Sequence, residues 1–261
     1  MTGNPISSLV WRLPYGARRW LRAAARPGHF RQLMHLRTAA PDQINAPTFK
    51  PFLERRCIFV HIPKAAGISV GYALFGRHTG NHATVADYQL AFSRQEFERF
   101  FTFTFVRNPW DRLVSAYHFL KNGGRNEEDR RWAETHLAGF DSFEGFVRDW
   151  VDRKNIHTAL HFIPQYRFIT LPGRTGPQVD FVGSLENIEA DFARVRECVG
   201  GAAELTCDNR TAGRQGDYRS YYDRRTREIV ARAYREDIEL LGYDFESGGP
   251  GRRLKEFRGA P

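Results

Sequence analysis

The chain has 261 residues, 41% of them apolar and 14% aromatic, with 39 Lys or Arg against 30 Asp or Glu and a formal net charge of +9. Such a chain is globular, one large domain or two small ones, and not disordered. No apolar run approaches the roughly 18 residues of a membrane-spanning helix, and no apolar segment with a small-residue cleavage site marks a signal peptide.

Residues 1–54 read as a basic N-terminal arm. Its stretch "LVWRLPYGARRWLRAAARPGHFRQLMHLR" interleaves arginines with Trp11, Trp20, Leu21, Leu33 and Leu36 and is punctuated by prolines. A short basic amphipathic helix is expected near residues 16–25. It either lies on an anionic membrane surface or packs on its own domain.

The main domain is set at residues 55–247, followed by a tail over 248–261. "CIFVHI" (57–62) is a short β-rich run ended by Pro63, and "ISVGYALFG" (68–76) has helical periodicity with Gly76 as C-cap. Ser93 caps a helix over "RQEFERF", and "FTFTFV" (101–106) is a second strand. Asn108 and Pro109 open the next helix as N-cap and first residue. There Trp110, Leu113, Val114, Tyr117 and Leu120 share one face, so Ser115 points away from that stripe. Residues 122–131 read as an exposed loop, and Asp141 with Glu144 as a capping box for "SFEGFVRDWV". "VDFVGS" (179–184) is a third strand, "LENIEADFARVRECVG" a helix, and 226–242 one last long helix ended by Gly242. Strands alternating with helices predict a P-loop-like, three-layer α/β domain with a central, mainly parallel sheet flanked by helices.

A strand, a sharp turn and a helix N-terminus make an anion site, because the first helical amides lack internal partners. In "FVHIPKAAGISVGYALFG" (59–76) the small residues Ala65, Ala66 and Gly67 let backbone approach a phosphate; Lys64 adds a charge and Ser69 a hydroxyl. The spacing is not the GxxxxGK[ST] of an ATP or GTP loop. "FTFVRNPWDRLVSAY" (103–117) repeats the arrangement with Arg107 at the strand end and Ser115 eight residues on. Two such turns suit a nucleotide phosphorylated at two positions.

The pairing of "IPKAAGIS" with "FVRNPWDRLVSAY" resembles the sulfotransferases that use PAPS (3′-phosphoadenosine-5′-phosphosulfate), especially the carbohydrate branch with the heparan 2-O- and chondroitin 4-O-sulfotransferases. The likeness continues in "HFIPQYRFI" (161–169), "VDFVGSLENIEADF" (179–192) and "YYDRRTREIVARAYREDIELLGYDF" (221–245). It implies transfer of a sulfuryl group from PAPS to a carbohydrate or other hydroxyl-bearing acceptor, releasing 3′,5′-ADP without a metal. By the same resemblance Lys64, with Ala65, Ala66, Gly67, Ile68 and Ser69, holds the 5′-phosphosulfate, and Lys64 stabilises the leaving group. Arg107 and Ser115 hold the 3′-phosphate, and Asn209 and Thr211 belong to a third nucleotide segment. The acceptor hydroxyl needs a base. Of His78, His82, His157 and His161, His82 leads and His161 is second. His161, Gln165 and Tyr166 resemble the acceptor-binding segment. One departure is Ala65, where many relatives carry a hydroxyl residue after the loop lysine.

The net positive charge suits an acidic glycan as acceptor, with lipid-linked sugars and small molecules left open. Cys57, Cys198 and Cys207 form neither a disulfide framework nor a metal cluster. They fit a reducing compartment, so a cytoplasmic protein, peripheral at the inner face of a membrane through its arm, is expected. Competing readings are a nucleotide-dependent kinase with a degenerate phosphate loop, a basic nucleic-acid-binding protein, and a relative that binds glycans without catalysis. A kinase lacks its metal-binding Asp here, since Asp180 precedes its strand core. The arginines form no basic-aromatic recognition module, so nucleic acid is not the expected partner.

Overall fold

The computed structural model describes residues 9–40, 46–77, 79, 81–200, 205, 216–246 and 248–250. Strand β1 (Cys57–Val60) is buried throughout and pairs in parallel with β2 (Phe101–Val106), Val60 opposite Thr104. Strand β3 (Phe181–Ser184) pairs in parallel on the other side of β2, giving the order β1-β2-β3. The sheet is parallel and helix-flanked, as the alternating pattern predicts. "CIFVHI" leaves the sheet after Val60. Asp180, just before β3, accepts from the Thr102 amide and hydroxyl, both at 2.7 Å, and so joins two strands.

In the arm, α1 (Tyr15–Ala25) and α2 (Pro27–Thr38) precede α3 (Lys50–Arg55). They pack on the domain: Leu33, Leu36, Phe49 and Phe52 are buried in the same apolar cluster as β1 and β2. Helix α4 (Gly67–Phe75) ends at left-handed Gly76, whose N–H donates to the Tyr72 carbonyl, the expected C-cap. Helix α5 (Val85–Ala91) opens with a Thr84–Asp87 capping box, and α6 (Arg94–Arg99) with a Ser93–Glu96 box. In α7 (Pro109–Lys121) the Asn108 side chain accepts from the amides of Trp110 and Asp111. Its apolar stripe joins a second cluster with α8 (Glu127–His136), α9 (Phe143–Asp149) and α12 (Arg224–Ala233).

Three expectations are corrected. Residues 127–131 are helical, because the Asn126 side chain caps α8 by accepting from the Asp129 amide. Ser142, not Asp141, caps α9, accepting from Gly145. The last long helix is two: α12 stops at Ala233 and a new helix, α13, runs over Arg235–Leu241. Between them lies Tyr234, buried, its hydroxyl 2.8 Å from the Phe162 carbonyl it donates to. That contact ties the break to a residue 72 positions away in sequence. A short α10 (Tyr166–Ile169) and the longer α11 (Ile188–Val199) flank β3 in sequence.

Candidate active site

The loop from β1 to α4 carries two non-glycine residues in the left-handed region, Lys64 (φ 66°) and Ala66 (φ 61°). Each such residue costs about 1–3 kcal/mol and persists only where the fold enforces it. Left-handed turns aim successive amides into a concavity that receives anions. Ala66 occupies the N-cap of α4 and offers no side-chain acceptor, so the first helical amides are not capped by it. Lys64, Ala66, Gly67, Ile68 and Ser69 line a cavity of about 1110 Å³ at the C-terminal end of the sheet. Ala65 does not: its side chain is 1% exposed and belongs to the core. Only the backbone of Ala65 is therefore left to serve the loop.

Gly67 is dictated by a neighbour that the sequence reading missed. A Cβ on Gly67 would sit 1.8 Å from Cδ2 of His61, whose ring is 3% exposed and fills that space. Gly67→Ala is expected to push the His61 ring aside and cost about 1–3 kcal/mol. A denaturant melt checks this, and an unchanged midpoint would show that the ring yields freely.

The second turn stands beside the first because β2 is next to β1. Arg107 leaves the end of β2 buried, its Nε donating to Asp111 at 2.7 Å and its Nη1 to the Lys64 carbonyl at 3.3 Å. Arg112, fully enclosed, donates to the carbonyls of Pro63 and Ile163, both at 2.9 Å, and pins the first loop to α7. Ser115, on the face opposite the apolar stripe as expected, lines the cavity with Arg107. Lys64 Nζ lies 3.9 Å from the centre of the Phe119 ring. Burial, then the charge of Arg107, pulls the Lys64 ammonium down to about 8, against the opposing charge of Asp129.

His82 lines the cavity and is itself left-handed, φ 59°. Its Nδ1 lies 3.0 Å from the His61 carbonyl, and its ring 4.4 Å from that of His61. A carbonyl only accepts, so Nδ1 carries the proton and Nε2 holds the lone pair in the neutral ring. His161 lines the cavity from a turn over Leu160–Phe162. Its Nε2 donates to Asp129 at 2.8 Å, and its ring packs 4.8 Å from that of Phe119. Burial raises the Asp129 carboxyl; the bonds from His161 and the Arg125 amide outweigh this, leaving it below its ordinary value. Asp129 is the second residue that the sequence reading missed. The signal lay in Gly124 of "NGGRN", left-handed at φ 67°, where a Cβ would meet the Asp129 side chain at 2.1 Å.

Two residues expected at the acceptor are placed elsewhere. Gln165 is wholly buried; its Oε1 accepts from the Arg107 amide at 2.9 Å and its Nε2 donates to the Arg107 carbonyl at 2.7 Å. It braces the backbone of Arg107 and cannot reach an acceptor. Tyr166 is half-buried beside it and does not line the cavity. Asn209, Thr211 and His78 lie outside the described residues.

Comparison with known proteins gives a consistent result. A family model described as "Sulfotransferase family" matches residues 54–244. Carbohydrate sulfotransferase 14 of Mus musculus is 33% identical over 133 residues, 47% of this chain and 35% of that protein. Its Homo sapiens counterpart is 30% identical over 169 residues, 55% of this chain and 44% of that protein. An uncharacterized protein of Archaeoglobus fulgidus is 34% identical over 117 residues, 44% of this chain and 81% of that one. The match thus spans less than half the length of the two mammalian relatives. No solved structure matches.

Proposed function

The chain belongs to the sulfotransferase family, and from that premise we propose that it transfers a sulfuryl group from PAPS to a carbohydrate hydroxyl, releasing 3′,5′-ADP. The observation that carries this reading is the pair of cationic strand–helix turns on adjacent strands, Lys64 after β1 and Arg107 after β2, bridged by the Arg107–Lys64 contact. The residues present fit the donor: a loop with two left-handed residues, and two cations at one cavity.

When bound, PAPS supplies the sulfuryl group and a phosphate leaving group. The amides around Ala66 and Gly67 hold its 5′ end, where Lys64 neutralises the charge growing on the bridging oxygen. Arg107, its guanidinium plane fixed by Asp111, pairs with the 3′-phosphate, and Ser115 adds a hydroxyl. His82 takes the acceptor proton at Nε2. His161, oriented by Asp129, faces the acceptor on the Phe119 side.

Arg107→Ala is expected to weaken 3′,5′-ADP binding about 10- to 100-fold, the ~1.5–3 kcal/mol of a charged hydrogen bond, and 5′-AMP binding by little. Calorimetry without metal checks both. Equal losses for the two nucleotides would remove Arg107 from the 3′-phosphate.

A further inference from the structure

The positive charge of this chain is lopsided. Residues 1–41 contain seven arginines and no aspartate or glutamate, so they carry +7 of the net +9. Helix α1 turns its polar face inward. Tyr15 donates to the carbonyls of Gln89 and Phe92, Arg19 to that of Leu90 and Arg22 to that of Ala86, while Arg18 meets the Gln89 side chain. Arg19 thus meets the C-terminal end of α5, where a helix attracts cations, and Arg22 its first turn. These carbonyls satisfy the guanidinium donors and cancel no charge. Among the described residues, the arm's arginines meet carboxylates at two places only, Arg37 with Glu96 and Arg22 with Asp87.

The outward face of α1 is apolar. Ala17, Trp20, Leu21 and Ala24 follow helical spacing and are all exposed, Trp20 by 69% and Leu21 by 38%, and Leu13, two residues before the helix, is exposed by 36%. Leu9, 61% exposed, precedes them. Of the large apolar side chains exposed among the described residues, only Leu160 lies elsewhere. A surface helix ordinarily does the reverse, apolar side in and charges out. Single exposed apolar residues are common, but a row of them on one helix face marks a contact surface.

We propose that α1 rests on an anionic lipid bilayer. The stripe of Leu13, Trp20 and Leu21 enters the boundary between headgroups and acyl chains, with Trp20 as interfacial anchor. The exposed Arg12 and Arg26, at the two ends of the helix, meet lipid phosphates. A nucleic acid would use the charge and leave the stripe in water. A second copy of the chain would bring two strongly positive arms together.

The test is co-sedimentation of the full chain with vesicles of phosphatidylglycerol and phosphatidylcholine in equal parts, against phosphatidylcholine alone. The expected result is binding to the anionic vesicles, at least ten-fold weaker for Trp20→Glu/Leu21→Glu. Arg12→Gln/Arg26→Gln, which spares the stripe, should weaken it about five-fold per arginine, the effect of one cation near an anionic surface. Circular dichroism confirms that the variants fold, and turnover on a soluble acceptor should be unchanged. No binding to the anionic vesicles, or binding that both variants keep, overturns the proposal. Self-association lost in Trp20→Glu/Leu21→Glu, without vesicle binding, would assign the stripe to a contact between copies and overturn it too. So would RNA binding that needs the arginines but not the stripe, if vesicles are left unbound.

Discussion

Lys64→Ala is expected to lower turnover by about 10²- to 10³-fold, the effect of removing one preorganised group that meets developing charge. Lys64 is held firmly in place. Its backbone is left-handed, its carbonyl accepts from Arg107, and its ammonium sits over Phe119, facing the cavity. A cation enclosed in this way stabilises a leaving oxygen more strongly than one in water, because the local dielectric is lower. The enclosure also makes the charge pH-sensitive. With Lys64 lowered to about 8, it is charged below that pH and neutral above it. Apparent kcat/KM, which reports the free enzyme, should therefore fall as pH rises through about 8. A bound dianion restores the proton, so kcat should fall at higher pH or not at all. Rates of 3′,5′-ADP formation between pH 7 and 9 check this. Turnover of Lys64→Ala within a few-fold of the native chain would remove Lys64 from the chemistry.

His82→Asn should lower kcat by about 10²- to 10⁴-fold, the usual reach of general acid–base catalysis, and leave 3′,5′-ADP affinity within a factor of two. Asparagine is the cleaner replacement because it tolerates the left-handed backbone that His82 adopts at φ 59°, whereas alanine adds strain there. The geometry that singles out His82 is the Nδ1–H bond to the His61 carbonyl, which presents the opposite nitrogen as base. The ring of His61 lies against both His82 and the space above Gly67, so one side chain links His82 to the β1–α4 loop. Calorimetry beside steady-state kinetics separates the two effects. Full activity of His82→Asn would move the base to His161, whose Asp129 partner gives it a fixed orientation, and His161→Asn would then carry the loss.

What was readable in the sequence is what is decided within a few residues of chain. The β-rich runs at 57–62, a strand as far as Val60, and 101–106, the Asn108–Pro109 helix start, the Ser93 cap and the Gly76 stop each depend on a residue's own backbone preference or a bond to an amide two or three positions away. Because both turns are local, Lys64 and Arg107 were readable as a pair of cationic strand–helix turns before any contact between them was known. Periodicity likewise put Ser115 on the cavity side of its helix.

The tertiary structure decided which of these groups meet and which are taken out of reach. Gln165 stands 58 residues from Arg107 and is spent on its backbone; Asp129 stands 32 residues from His161 and orients it; His61 stands 21 residues from His82. No rule of local chemistry ties such distant positions, because each bond forms only where strand order and helix packing bring two surfaces together and bury them. The same holds for the arm. Its amphipathic pattern was plain in the sequence, but the direction it faces was set by packing on α5, where Arg19 donates to the Leu90 carbonyl and Arg22 to that of Ala86 while Trp20 and Leu21 stay outside.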